Sequence, residues 1–341
     1  MNHDTPLSPL PLHHLADGSC PVLTTQELRA HGVPPAEVAD RCRPGGPWQQ
    51  LLPGVHLLHQ GPPTSQERLH AALRYARHRG PSVPVQPRAP EAVRDPMITG
   101  LAALALHGFA AAPPLLSLER IEVLVARSRR LRSAGFARIV RGADLPAPQQ
   151  VTGVPTAPVP RALADAVAGL ADGAVVRRLL TEAVRGGHCE AAAVVRELTR
   201  ARLLARPHVV DAVDALLAEG RALAEQRLYD AVRAHGLPDP VWNVDLRLPG
   251  GPYLGGVDAY WPEYAVAVEI DTRPARPAAG EPAEPAEDEH RDALERLGIT
   301  VVRCRPRTLR EAPEQQATVI RTALMAAAGR EPAAYVAVLP R

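Results

Sequence analysis

Lysine is absent from this sequence of 341 residues, so arginine supplies all 39 of its Lys and Arg positions. Aromatic residues are also scarce, at 3% of the chain. Because proteins that hold single-stranded nucleic acid stack its bases on aromatic rings, this scarcity argues against strong single-strand binding. The hydrophobic fraction of 46% therefore consists mainly of alanine, valine and leucine, which must build the cores.

Cysteine pairs and long apolar runs are missing as well. The longest apolar run, near residues 100–112, contains His107 and is too short to span a bilayer. The first residues show no secretory signal pattern, so we expect a cytoplasmic protein without membrane contact. The absence of any Cys-x-x-Cys spacing excludes a zinc knuckle and a disulfide framework. The four scattered cysteines are Cys20, Cys42, Cys189 and Cys304.

Charge is distributed unevenly along the chain. Residues 1–220 hold 24 arginines against 19 acids, a net charge of +5, whereas residues 221–341 hold 15 against 18, a net charge of −3. Neutralising phosphates supplies most of the non-specific affinity for nucleic acid. If the protein binds nucleic acid, we expect the first part of the chain to provide the attraction.

The segment 1–80 contains the pattern of a small DNA-binding domain after a proline-rich leader. Residues 24–32 predict a short capped helix, residues 35–43 a second helix, and residues 48–58 a hairpin around a Pro-Gly turn. This order favours a winged helix-turn-helix, although small helices that cap a larger domain would give the same pattern. A winged helix would direct three polar side chains at DNA, namely Arg41, Arg43 and Gln49.

The next segment, 90–220, predicts an α+β middle domain and a helical connector. Residues 121–141 read as a strand, a basic turn and another strand, with six arginines and one acid. A solvated turn and a phosphate-contacting patch are both compatible with this pattern, and the sequence leaves the choice open. From residue 161 to 223 the apolar spacing is helical. The arginines of the turn are Arg127, Arg129, Arg130 and Arg132.

Three stretches of this first part carry a family resemblance. Residues 48–56, with the sequence WQQLLPGVH, resemble the winged-helix domain of AbiEi-type antitoxins. Residues 98–108, which end in His-Gly, and residues 153–165 are similar to two later segments of that family. Arg161 is kept, but Ala162 stands where the family has threonine. The resemblance implies a transcriptional autorepressor of double-stranded operator DNA, functionally paired with a nucleotidyltransferase-type toxin, and a homodimer.

Acidic residues dominate the pattern of the last third. One acid, Asp258, is placed at the end of one predicted strand, and Glu269 and Asp271 are placed at the end of the next. We therefore predict that three carboxylates converge on one edge of a sheet, where a hard divalent cation is the usual occupant. The alternative is that these acids are solvated, or are paired with Arg273 and Arg291.

The order of elements after residue 221 carries a second resemblance. A helix, three strands, a helix, a strand and a closing helix resemble the nuclease-like fold of very-short-patch-repair endonucleases, in the PD-(D/E)XK superfamily. The resemblance covers 221–327, with a flexible loop at 273–287 and a tail at 328–341. It implies catalytic roles for Glu225, Asp258, Glu269 and Asp271, and Mg²⁺ or Mn²⁺ on Asp258 and Glu269 if the site is active.

One substitution weakens the nuclease interpretation. Asp271 occupies the position that the superfamily usually gives to lysine, and an aspartate cannot offset the negative charge that develops during cleavage. We therefore expect a multi-domain α/β protein with a winged helix-turn-helix, an α+β middle domain and a degenerate PD-(D/E)XK nuclease-like domain. Its expected function is DNA-binding regulation, and the alternative is a divalent-metal-dependent DNA endonuclease. The sequence does not decide whether the protein is an enzyme.

Overall fold

The computed structural model of the protein describes residues 20–77, 95–272, 285–329 and 335–341, with only the backbone of 285–289. These residues form eleven α-helices and three β-sheets, which agrees with the predicted multi-domain α/β class. The chain divides into two compact units. The first unit comprises Met1–Leu179 and Glu197–Val209, and the second comprises Leu180–Arg196 and Val210–Arg341. No helix in the described ranges has the length and apolar content that crossing a membrane requires.

The first unit begins with a three-stranded sheet and two short helices. Helix α1 is capped by Thr24, whose side chain accepts the Glu27 N–H while the Glu27 carboxylate accepts the Thr24 N–H. Both predicted helices and the predicted hairpin are confirmed, and an additional strand completes the sheet in the order β1-β3-β2. The elements are β1 (Val22–Thr24), α1 (Thr25–Ala30), α2 (Pro35–Arg41), β2 (Gln49–Leu52), β3 (Val55–Leu57) and α3 (Ser65–Arg77).

A five-stranded sheet in the order β6-β5-β4-β8-β7 forms the rest of the core of this unit. Helix α3 packs against both sheets of the unit and joins them. The predicted strands on either side of the basic segment are confirmed, but they pair in parallel, with Ile121 opposite Ala137. The connection is therefore a return loop rather than a tight turn. The elements are β4 (Met97–Thr99), α4 (Gly100–Leu106), β5 (Ile121–Ala126), β6 (Ala137–Gly142), β7 (Gln149–Val151) and β8 (Val154–Thr156).

Four helices follow, as the apolar spacing of residues 161–223 predicts. Helix α8 is longer than expected, because it begins at Pro207 and continues past the predicted boundary at residue 221. Proline is compatible with a first turn, and Gly220 alone is a weak breaker, so the helix continues through it. The helices are α5 (Val159–Gly169), α6 (Gly173–Arg185), α7 (Ala191–Arg200) and α8 (Pro207–Ala234).

The second unit contains a five-stranded sheet in the order β12-β11-β10-β9-β13. Strands β11 and β12 are parallel and are connected through helix α9, whereas the other neighbours are antiparallel. The elements are β9 (Val241–Arg247), β10 (Tyr253–Trp261), β11 (Val266–Ile270), α9 (Pro285–Arg296), β12 (Thr300–Cys304), α10 (Pro306–Glu311), α11 (Pro313–Ala327) and β13 (Ala337–Pro340).

Each face of this sheet is covered by its own apolar core. Val268 and Ile270 of β11 pack with Ala224 of α8 and Ile320 of α11. Ala267, which precedes Val268 in sequence, packs with Leu294 of α9 on the other side. Because successive residues of a strand point to opposite faces, α8 and α9 lie on opposite faces of the sheet.

The ends of the predicted loop and tail differ from expectation. Most of the predicted loop 273–287, including Arg273, lies outside the described residues, and α9 begins at Pro285, inside the predicted loop. The segment 328–341, predicted as a tail, contributes strand β13, whose Val338 is paired with Leu246 of β9. Alternating apolar side chains allow Val336 and Val338 to pack on the core while the backbone covers the open edge of β9.

Candidate functional site

Three exposed arginines of the first unit lie on one loop between β5 and β6. We call residues 127–132 the arginine loop. The side chains of Arg127, Arg130 and Arg132 are exposed, whereas Arg129 is half-buried and donates to the carbonyl oxygen of Ala76 at the end of α3. The structure thus brings the four predicted arginines into one short loop and presents three of them to solvent.

The backbone of the arginine loop is held by its neighbours. The Tyr75 hydroxyl on α3 donates to the Arg132 carbonyl at 2.7 Å. From β6, the Arg141 guanidinium donates to the carbonyls of Leu131 and Arg129. The Arg127 N–H donates to the Gly142 carbonyl at 2.9 Å. A ligand that binds these arginines therefore does not have to order the backbone that carries them, which lowers the entropic cost of binding.

The same β5–β6 connection passes the β2–β3 hairpin. A Cβ atom added at Gly135 would lie 3.1 Å from Leu52 Cδ2 and 3.8 Å from the Leu51 carbonyl. The arginine loop and the hairpin therefore belong to one continuous region of the first unit.

The three polar residues predicted near the second helix have different surroundings. Arg41 is half-buried, with Nη2 2.7 Å from Glu37 Oε1 and its guanidinium carbon 4.8 Å from the centre of the Trp48 ring. Gln49 donates to the carbonyls of His59 and Gly61 at 3.0 and 2.6 Å. The Arg41 side chain therefore connects α2 to Trp48, and the Gln49 side chain connects β2 to the segment after β3.

Arg43 is the most exposed of these three predicted residues. Its side chain is 75% exposed, and Nη2 lies 2.7 Å from Asp40 Oδ1, itself 60% exposed. An ion pair at that exposure is weak enough to be exchanged for a phosphate. Among the three, Arg43 is the best placed to contact a ligand.

In the second unit, two of the four predicted acids share one arginine. Arg221 of α8 donates from Nε to Glu225 Oε1 at 2.8 Å and from Nη2 to Asp258 Oδ1 at 2.5 Å. The second oxygen of Asp258 accepts the N–H of Ile270 at 2.6 Å. We predicted Asp258 at the end of a strand, but β10 continues to Trp261, so Asp258 lies within the strand. Its carboxylate is buried, and both of its oxygens have protein donors.

The other two predicted acids have separate surroundings. Glu269 Oε1 lies 3.2 Å from His290 Nε2 on α9, and Oε2 lies 4.0 Å from Arg303 Nε on β12. Asp271 follows β11, is half-buried, and its N–H donates to the Cys304 carbonyl at 2.9 Å. Glu269 shares the α9 face with Ala267, whereas the Asp258 carboxylate is bound to α8. The helical partners of Asp258 and Glu269, which are Arg221 of α8 and His290 of α9, thus lie on opposite faces of the sheet.

This arrangement does not provide the ligands of a divalent metal. Across the described ranges, no three His, Cys, Asp or Glu side chains form a group that could hold a metal ion. Mg²⁺ and Mn²⁺ need carboxylate oxygens that are free to coordinate them, whereas the Asp258 oxygens and Glu225 Oε1 accept protein donors. The residues therefore do not fit the metal that the nuclease resemblance implies. The metal-binding roles of Asp258 and Glu269 stay predictions.

Two residues of this region were not predicted from the sequence. Arg221 precedes Glu225 by four positions, a spacing typical of helix ion pairs, so the pair itself had a sequence signal. Its contact with Asp258 across 37 residues had none. Nothing in the sequence pairs His290 with an acid, but in the structure it contacts Glu269 and only 30% of its side chain is exposed.

A further acid with a largely buried side chain, Glu122, lies in the first unit on β5. Burial raises the pKa of Glu122 from 4.5 to about 7, with nearby Asp165 adding to the increase and Arg138 opposing it. The carboxylate borders an open cavity of about 480 Å³ between α4, α5 and β5. Asp165 itself accepts hydrogen bonds from Thr99 and Arg161, at 2.6 and 2.9 Å. Arg161, which carried part of the family resemblance, therefore supports the core of the sheet.

Comparison with known proteins adds no assignment, since neither the protein-family models nor the curated proteins searched gave a match to this chain.

Proposed function

We propose that this protein is a DNA-binding transcriptional regulator of the AbiEi antitoxin type, in which the last third is a nuclease-like domain without a catalytic role. The observation that carries the proposal is the arginine loop, whose Arg127, Arg130 and Arg132 are exposed on a held backbone beside the β2–β3 hairpin. Fixed arginines on a surface contact phosphates and position DNA without reading its sequence.

The order of the first elements supports this proposal. A strand, two short helices and a hairpin follow one another, and the three strands form one sheet. In a winged helix-turn-helix, the second of these helices enters the major groove and the hairpin contacts the backbone. Under the proposal, α2 and the hairpin bind the operator while the arginine loop binds the adjacent phosphates.

The proposal includes double-stranded DNA as the ligand and a homodimer as the binding form. The low aromatic content favours duplex over single-stranded DNA, because few rings are present for stacking on bases. A nucleotidyltransferase-type toxin as the functional partner follows from the family resemblance. The alternative of a divalent-metal-dependent endonuclease needs carboxylate oxygens that are free to bind the metal, whereas Glu225, Asp258 and Glu269 have protein partners.

The test is a binding titration of the full-length protein with labelled DNA. Fluorescence anisotropy would be measured with the duplex from upstream of its own gene, with an unrelated duplex of equal length, and with one separated strand. We expect binding to both duplexes that weakens steeply with salt, tightest for the upstream duplex and weakest for the single strand. If no duplex binds at low salt, the proposed function is wrong.

A further inference from the structure

Arg221 lies between two carboxylates of the second unit. It joins Glu225, one helical turn later on α8, to Asp258 on β10, with donor-to-acceptor distances of 2.8 and 2.5 Å. The Asp258 side chain is 6% exposed, compared with 32% for Glu225 and 41% for Arg221. The arginine therefore extends from the surface to a carboxylate in the interior.

Asp258 also joins two strands of the sheet. The β10–β11 ladder ends where Ala259 is paired with Val268, and beyond it Asp258 Oδ2 accepts the Ile270 N–H at 2.6 Å. The carboxylate thus replaces a ladder carbonyl at this point. Asp258 is fixed by the sheet on one side and by Arg221 on the other.

A buried carboxylate with one neutral donor needs a positive partner, since an unpaired charge in the interior is costly. Two kinds of partner suit a pair of carboxylates: a divalent cation with its remaining waters, or a guanidinium, whose planar fork can donate to both. Arg221 provides the guanidinium, which donates to both carboxylates. While it occupies the space between Glu225 and Asp258, a divalent cation cannot bind there.

We propose that Arg221 is a built-in counter-ion that takes the place of a divalent cation between Glu225 and Asp258, so that the second unit folds without metal. Replacing the arginine would expose a cation site made from these two carboxylates. This inference deepens the non-catalytic role given to the second unit in the proposed function, but it does not depend on DNA binding.

The experiment uses the full chain and Mn²⁺ as the probe. Thermal unfolding would be followed with and without millimolar Mn²⁺, and bound Mn²⁺ would be measured from the loss of the free-ion signal in electron paramagnetic resonance. We expect no Mn²⁺ effect on the unfolding temperature of the wild-type protein. We expect Arg221→Met to unfold at a lower temperature, to bind one Mn²⁺ per chain and to recover part of its stability with the metal.

Matched variants separate the counter-ion role from the loss of side-chain packing. Arg307→Met removes the arginine from a helix pair of the same i,i+4 spacing with Glu311, whose members are 71% and 48% exposed, and it should change neither stability nor Mn²⁺ binding. Arg221→Met combined with Asp258→Asn removes the unpaired charge, so it should be more stable than Arg221→Met alone and should not respond to Mn²⁺.

Two results would overturn the inference. The first is a wild-type protein that Mn²⁺ stabilises and that loses this response in Asp258→Asn, because a metal would then bind despite the arginine. The second is a folded Arg221→Met or Arg221→Gln that ignores Mn²⁺. If neither single variant folds, the double variant decides: the inference requires it to fold, and a double variant that also fails to fold contradicts it. These outcomes differ from a failed DNA titration, which leaves Arg221 unaffected.

Discussion

Glu122 on β5 is a largely buried carboxyl group, and residues of several elements contact it. Its carboxylate lies against the start of α4, where a Cβ atom at Gly100 would collide with it, so the glycine is needed at that position. Arg138 on β6 provides a positive charge, with Nη1 3.5 Å from Glu122 Oε1. Desolvation outweighs this attraction, and the pKa of Glu122 is raised from 4.5 to about 7.

This raised pKa predicts a stability that falls with pH. The folded protein keeps the Glu122 proton up to a pH of about 7, whereas the unfolded chain releases it near 4.5. The contribution to stability is therefore complete below about 4.5 and is lost as the pH rises through about 7, a loss of about 3 kcal/mol. We expect the urea midpoint of Glu122→Gln to depend less on pH between these values than that of the wild-type protein. The increase in stability over the wild type should be largest at alkaline pH.

Glu119→Gln is the control for this measurement, because Glu119 is exposed and lines the same cavity. It should leave the pH profile of the urea midpoint unchanged. A Glu122→Gln profile parallel to that of the wild-type protein would show that Glu122 does not titrate with the raised pKa.

The acids of the second unit show what the sequence reveals about single residues. Asp258 and Glu269 were singled out because each was placed at the end of a predicted strand, and in the structure both side chains are held by specific partners. Their partners could not be predicted, because Arg221 and His290 are far away in sequence and meet the acids only after the helices pack on the sheet. We expected Asp258 and Glu269 to converge on one cation. In the structure, Asp258 instead contacts Arg221 and Glu269 contacts His290.

At the scale of elements, strand β10 and helix α9 approach each other at a glycine. Gly255 has a φ of +133°, and a Cβ atom there would overlap the imidazole of His290. The glycine thus provides both the backbone conformation and the space that bring His290 to Glu269. A larger residue must strain the backbone and displace the ring together.

We therefore expect Gly255→Ala to destabilise the protein by about 2 kcal/mol or more, because both penalties apply. His290→Ala added to Gly255→Ala removes the collision but not the backbone strain, so it should restore part of the loss. Urea unfolding measures both variants. If the double variant were less stable than Gly255→Ala by the full cost of His290→Ala alone, the two residues would be independent and the packing argument would be wrong.

Most individual elements were predictable, because capping residues, Pro-Gly turns and apolar alternation act locally. Helix α1 with Thr24 and the β2–β3 hairpin lie where these patterns place them. The parallel pairing of β5 with β6 and the addition of β13 to β9 were not predicted. Both depend on contacts between distant parts of the chain, and no local signal distinguishes a parallel pair from an antiparallel one.

At the scale of the molecule, the two compact units differ from the predicted segments of the chain. The predicted limit between 220 and 221 falls inside α8, which is continuous there. Residues 24–57 and the five-stranded sheet of residues 97–156 belong to one unit, because α3 packs against both sheets. The sequence marks where polar and proline-rich segments occur, but the packing of a helix on two sheets decides which segments form a unit.

The salt dependence of duplex binding is the measurement that tests our proposal that the arginine loop contacts phosphates. Each phosphate contact contributes about 0.9 to the slope of log affinity against log salt, so replacing Arg127, Arg130 and Arg132 with alanine should reduce that slope by about 3. Arg120 is an exposed arginine that directly precedes β5, at the end away from the arginine loop. Arg120→Ala should reduce the slope by less than the value of about 0.9 for one phosphate contact. If the triple variant kept the slope and the affinity of the wild-type protein, the arginine loop would not contact phosphates and the proposal would be wrong.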